Sequence, residues 1–385
     1  MKGNPNFDFY SFNLPQNEQP SVSEAEPQAP MSAESDAPTA SPATPVFALP
    51  VRPDARHLRR ARRAFSRAGW ALSVMLFVWY TASTVIQTLA AFLLPSLLEQ
   101  PWFVFASGSA PLYVFGVPAL ALVLLGLPKE TPQKCRFGAG RFTVALFIAL
   151  GLAIAGSMVG NTVMAVLGGL SGFEFSNMLE TALDMPIPLT VLAMVVLAPI
   201  FEELIFRKLL LDRLLPYGEL AAIAVTSIMF GLIHGNFYQF FYAAALGALL
   251  GYLYVRSGKL WLSIAMHALV NLFGGVLPNL LMERVDYDKL VSIMDETELF
   301  SFIFDNFNDV MLLGLYYMLF YSLAAVGIIL LLVFFKRLTL QSRSDDIPRG
   351  WRAGVMFGNV GMIVAIVLCG VLFLLNMIAT AMPLG

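Results

Sequence analysis

Long apolar runs, separated by short polar or charged connections, dominate the chain from residue 70 onward. A helix needs about 20 apolar residues to cross the hydrocarbon layer of a bilayer. Nine runs approach or exceed that length: 70–96, 104–127, 142–168, 187–211, 219–235, 237–255, 260–277, 310–335 and 354–382. The fifth, sixth and seventh are short, so they are expected to tilt little or to sit inside the bundle. The pattern predicts an all-α, polytopic transmembrane helix bundle over residues 70–382, with about nine spans. On the sixth run, Ala243, Gly247 and Gly251 form a narrow face suited to close helix packing.

Composition supports this reading. The chain is 58% apolar and 13% charged, against about 25% charged in soluble domains. Residues 1–50 differ: they hold nine of the 23 prolines, with much Ser, Ala, Glu and Gln. Such a segment buries too little apolar surface to offset its chain entropy, so a disordered cytoplasmic tail is expected. Phe7, Phe9, Tyr10 and Phe12 are a docking motif or a chance aromatic cluster. Residues 51–69 carry seven arginines directly before Trp70, which fits a juxtamembrane anchor to anionic lipid better than a nucleic-acid arm. The first 50 residues contain no apolar signal region, so the first span is expected to direct insertion. Cys135 and Cys369 lie far apart and indicate neither a disulfide framework nor a zinc knuckle.

Charge distribution orients the bundle. With nine spans, 22 of the 24 basic residues fall on one side, and only Arg284 and Lys289 on the other. The positive-inside tendency then places the N-terminus in the cytoplasm and the C-terminus outside. The outside connection 278–309 is acidic, and its apolar residues between Leu290 and Phe307 fit either an interfacial helix or a solvated loop.

Against this background Glu202, Glu203 and Arg207 stand out, because all three lie inside the fourth span. A carboxylate at the bilayer centre costs about 2.5–3.5 kcal/mol on insertion scales, so such residues mark function by default. Glu203 and Arg207 are spaced i, i+4 with the acid first, the favourable order for an ion pair. Glu202 is rotated about 100° from Glu203 and is expected to face elsewhere, without a local partner. Two histidines join them. His234 ends the fifth span, and His267 lies in the seventh with Asn271 one turn on. At 1.5 Å per residue from the cytoplasmic helix ends, Glu202 lies roughly 16 Å deep, His234 22 Å, His267 12 Å and Asn271 18 Å. Three helices thus carry polar groups to one level.

These residues form the motifs EExxxR (Glu202–Arg207), FxxxH (Phe230–His234) and HxxxN (His267–Asn271). In that order, on successive helical regions, they resemble the CAAX-protease and bacteriocin-processing (CPBP, or Abi) family, which includes the type II CAAX prenyl endopeptidases. The resemblance covers a core of about 187–277. It implies hydrolysis of peptide bonds in membrane-associated peptides, possible substrates being prenylated or leader-bearing. The residue types suit that chemistry. Glu202 would be the general base, its pKa raised by desolvation, holding a water together with His234. Asn271 and His267 would donate to the oxyanion, and Glu203–Arg207 would brace the site. Arg207 reaching a substrate carboxylate is the other reading.

A metal-free mechanism is preferred, with zinc held by Glu202, His234 and His267 as the alternative. The chain has no HExxH motif, although three protein ligands and a water make a catalytic zinc site. No nucleic-acid partner is expected. The rival functions are a non-enzymatic immunity or scaffold protein and a transporter using Glu202 as an ion site.

Overall fold

The computed structural model describes residues 54–176, 185–341 and 346–383. The expected tail, 1–50, lies outside the described residues. The rest is helical, as the apolar periodicity requires. Eight helices among the described residues are long and apolar enough to cross a membrane. They are α1 (Ala55–Leu93), α2 (Pro101–Val123), α3 (Ala139–Ser171), α4 (Ile187–Tyr217), α6 (Phe237–Ser257), α7 (Leu260–Val285), α10 (Phe307–Arg337) and α12 (Val360–Thr380). Between α4 and α6 lies the shorter apolar α5 (Glu219–Leu232). Its 14 residues rise only about 21 Å, and most of them are buried. The fifth run therefore packs inside the bundle, stopped by Gly235 at φ 67°, a left-handed conformation that glycine adopts without steric cost. The protein is an integral, multi-pass helix bundle.

One departure from the sequence reading and one choice that it left open are informative. The basic segment is not a separate element. Helix α1 begins at Ala55, and Ala61, Ala64, Phe65 and Ala68 are buried between the arginines. Arg67 caps the end of α2 by donating to the carbonyls of Val123 (2.6 Å) and Leu125 (2.5 Å). The connection 278–309 is largely helical: α7 continues to Val285, and α8 (Tyr287–Ser292) and α9 (Glu296–Asp305) follow. A one-turn helix, α11 (Arg352–Met356), precedes α12.

Small residues set how closely the helices approach. A Cβ on Gly361 of α12 would meet the Ser66 carbonyl of α1, and one on Gly327 of α10 would meet the Phe147 carbonyl of α3. Gly247 of α6 faces Phe230 and Ser227 of α5, the close packing that small faces permit. Two short strands, β1 (Phe173–Phe175) and β2 (Ala381–Pro383), pair antiparallel with Glu174 opposite Met382, joining the ends of α3 and α12. Two buried clusters result. One is built on α1, α4, α5 and α12, the other on α3, α6, α7 and α10.

Candidate active site

The intramembrane polar residues lie on the seam between these clusters. On α4, Glu203 and Arg207 are flanked by Ile205 and Phe206 of the first cluster. On α7, His267 and Asn271 share a face while Met266 and Val270 enter the second. Helix α4 is not a uniform α-helix. Residues Val191–Leu197 and Leu204–Leu211 are π-helical and bracket the α-helical Ala198–Glu203. Such widened turns are frequent at functional sites. They free backbone carbonyls, and Asn271 Nδ2 takes one of them, donating to Met194 O at 2.8 Å. Asn271 therefore ties α7 to α4 beside the glutamates and keeps its second amide hydrogen.

Glu203 and Arg207 are both fully buried. They pair through Nε–Oε2 at 2.9 Å and Nη2–Oε1 at 3.4 Å, the two-pronged geometry that guanidinium favours. The arginine carbon also stands 5.6 Å from the centre of the Phe230 ring, an attractive cation–π distance. Its Nη1 is buried without a hydrogen-bond partner among the described residues.

Glu202 has no partner on its own helix among the described residues, but it does not stand apart from Glu203. Both meet His267: Nδ1 lies 3.3 Å from Glu203 Oε1, and Nε2 lies 3.8 Å from Glu202 Oε2. The two nitrogens of one imidazole point in divergent directions, so adjacent carboxylates on α4 reach opposite sides of a single ring. The Glu202 side chain keeps 17% exposure while Glu203 keeps none, so Glu202 is the carboxylate open to a reactant. An ionised Glu203 can only accept, so the hydrogen is assigned to His267 Nδ1, leaving a lone pair on Nε2 toward Glu202.

His234, expected to share a water with Glu202, has contacts of its own. It follows α5 directly, its Nδ1 is 2.8 Å from the Phe230 carbonyl, and Asn236 Nδ2 donates to its carbonyl at 2.9 Å while capping α6. No hydrogen bond or ion pair joins it to Glu202 among the described residues. Phe230 mediates instead, with ring centres 5.2 Å from His234 and 5.7 Å from His267, edge-on in both cases. Sequence reasoning used Phe230 only as a motif letter. Its signal was the glycine opposite, Gly247, which leaves room for the ring. Tyr113 of α2 was also missed; it stacks on Phe201, next to Glu202, at 4.3 Å.

Zinc can be tested against this arrangement. No three His, Cys, Asp or Glu side chains among the described residues stand close enough to hold one ion. His267 Nδ1 faces Glu203 rather than an ion, and no hydrogen bond joins His234 to Glu202 among the described residues. As placed, the three candidate ligands do not fit a zinc centre.

Residues 184–273, which contain all of these groups, match the family described as Type II CAAX prenyl endopeptidase Rce1-like. This stretch is therefore similar to that family over about a quarter of the chain. The match includes EExxxR, FxxxH and HxxxN, and it leaves α1–α3 and everything beyond Phe273 outside it. The chain is also similar to "Putative membrane peptidase YdiL" of Bacillus subtilis (strain 168), with 27% identity over 160 residues, or 40% of this chain and 63% of that protein. The chain thus spans less than two thirds of the length of that relative. No solved structure matches it.

Proposed function

We propose that this protein is an intramembrane endopeptidase that hydrolyses a membrane-associated peptide with a water activated by Glu202. The observation that carries the reading is the pair formed by Glu202, partly open, and the lone-pair side of His267, 3.8 Å away. A water between them can donate one hydrogen to each. Glu202 takes the proton as the oxygen attacks the scissile carbonyl, and then delivers it to the leaving amine as the C–N bond breaks. The second Asn271 amide hydrogen stabilises the oxyanion. His234, its Nδ1 hydrogen donated to the Phe230 carbonyl, has an Nε2 lone pair that can accept from the hydroxyl of the intermediate, not stabilise its oxyanion. Glu203 orients His267 and is itself neutralised by Arg207.

The water partner in this scheme is His267, whereas the motif order alone suggested His234. No step passes through a metal. The substrate is an apolar or lipid-anchored peptide, because a site on the seam of a membrane bundle is reached from the bilayer; prenylation is one way to supply that anchor. We place the N-terminus in the cytoplasm. The test is peptide profiling of membranes from cells carrying the wild type or Glu202→Gln. Specific peptides should accumulate uncleaved with the variant. Identical profiles would contradict the proposal and leave a scaffold or immunity role.

A further inference from the structure

On the side of the bundle opposite the arginine-rich ends, α9 exposes a row of large apolar side chains. Phe300 is 73% exposed and Phe304 83%; Met294 just before the helix is 93% exposed, and Phe307, the first residue of α10, is 56% exposed. The geometry points to α9 as an interfacial helix whose apolar face lies in the headgroup region of a zwitterionic bilayer.

Three observations carry this independently of any catalysis. The first is the distribution of residues around the helix. At 100° per residue, Leu299, Ile303, Phe300 and Phe304 occupy one arc of about 140°, into which only Glu296 of the first turn intrudes. Ser301, Asp305 and Glu298 cluster roughly 60° wide on the far side. Phe302 falls between them and is buried against Val285 of α7 and Leu313 of α10. The helix thus has a protein face, an acidic face and an apolar face, the last without a protein partner among the described residues. Such partition is the mark of a helix lying in the plane of an interface.

The second observation is depth. Helices α7, with 26 residues, and α10, with 28 from Phe307 to Phe334, rise about 39 and 42 Å. A bilayer is about 30 Å thick in its hydrocarbon and about 40–45 Å with its headgroups. Helix α9 joins the ends of these two helices and is packed onto them, so it sits at headgroup level rather than in bulk water. Arg284–Asp309, at 2.7 Å, ties the same two helix ends together.

The third is charge. The two basic residues on this side are engaged within the protein: Arg284 as above, and Lys289 over the Phe302 ring at 5.5 Å. What remains exposed is acidic: Glu283, Asp286, Asp295, Glu296, Glu298 and Asp305. That surface repels anionic lipid and leaves zwitterionic headgroups as the partner.

Spin-label accessibility in the full chain tests this. Cys135 and Cys369 are replaced by serine and alanine, and single cysteines are introduced by Phe300→Cys, Phe304→Cys, Glu298→Cys and Asp305→Cys. The protein is then reconstituted in phosphatidylcholine vesicles. Labels at 300 and 304 should be reached by dissolved oxygen and shielded several-fold from a water-soluble nickel relaxant. Labels at 298 and 305 should show the reverse. Equal nickel access at all four positions would overturn the inference in favour of a solvated segment. Exclusion of both relaxants at 300 and 304 would overturn it in favour of a protein partner or a second copy. Adding phosphatidylglycerol should lower, not raise, the shielding at 300 and 304.

Discussion

At the scale of single residues, the chemistry turns on which histidine serves Glu202. The motif spacing located the polar residues but not their mutual orientation. A rotation of 100° per residue treats α4 as a straight α-helix and sends Glu202 and Glu203 apart. It cannot anticipate an imidazole that meets both, nor the π-turns on either side. The structure makes a discriminating expectation. His267→Ala should lower turnover about as far as Glu202→Gln, and the double variant should be no worse than either, since both hold one water. His234→Ala should cost less. Single-turnover rates of the purified variants check this, and a His234 effect equal to that of Glu202 with a mild His267 effect would return the water to His234. Asn271→Ala should reduce turnover by about 10²–10³ with substrate binding little changed, as for loss of an oxyanion donor.

At the scale of elements, the buried Glu203–Arg207 pair was legible from its i, i+4 spacing, and the structure adds that neither side chain touches solvent. Removing one partner leaves an uncompensated buried charge, which costs about 3–5 kcal/mol. Arg207→Ala should therefore lower the yield of folded protein, whereas Glu202→Gln should not. Replacing both partners, Glu203→Leu with Arg207→Met, should restore folded protein but not turnover, because His267 then loses the carboxylate that orients it. Size-exclusion profiles in detergent and turnover separate the two effects, and normal activity in Arg207→Ala would rule out the brace. Helix approach was less legible. The apolar runs identify each helix, but not that Gly327 lies on the Phe147 backbone while Gly314, in the same helix, faces open space. Gly327→Ala should destabilise by about 1–3 kcal/mol, as overpacking does. Gly314→Ala should be neutral or stabilising by up to about 1 kcal/mol. Thermal unfolding midpoints of the two variants in detergent provide the check, and equal midpoints would contradict the predicted packing.

For the molecule as a whole, every apolar run from 70 onward corresponds to a helix, because runs of about 20 apolar residues have few alternatives to spanning. The exceptions have physical causes. The arginines before Trp70 belong to α1 because alanines and Phe65 between them give that stretch a buried face. The acidic connection folds because Phe302 finds a pocket on α7 and α10. The pairing of β1 with β2 puts residues 173 and 381 at the same end of the bundle, and Arg67 puts residues 67 and 125 at another shared end. That parity agrees with nine crossings, and the proposed orientation would place the shared end near Arg67 in the cytoplasm. Reporter fusions at residues 135, 178, 295 and 345 should read inside, outside, outside and inside, and two reversals would contradict the nine-span topology. The central claim is that this bundle cleaves peptides with a glutamate-activated water. Its most direct test is turnover of a fluorogenic membrane peptide by detergent-purified protein, wild type against Glu202→Gln, with and without a zinc chelator. The expected result is cleavage by the wild type that ignores the chelator and falls at least about 10²-fold in Glu202→Gln. Full activity of Glu202→Gln, or wild-type activity lost on chelation and restored by zinc, would contradict it.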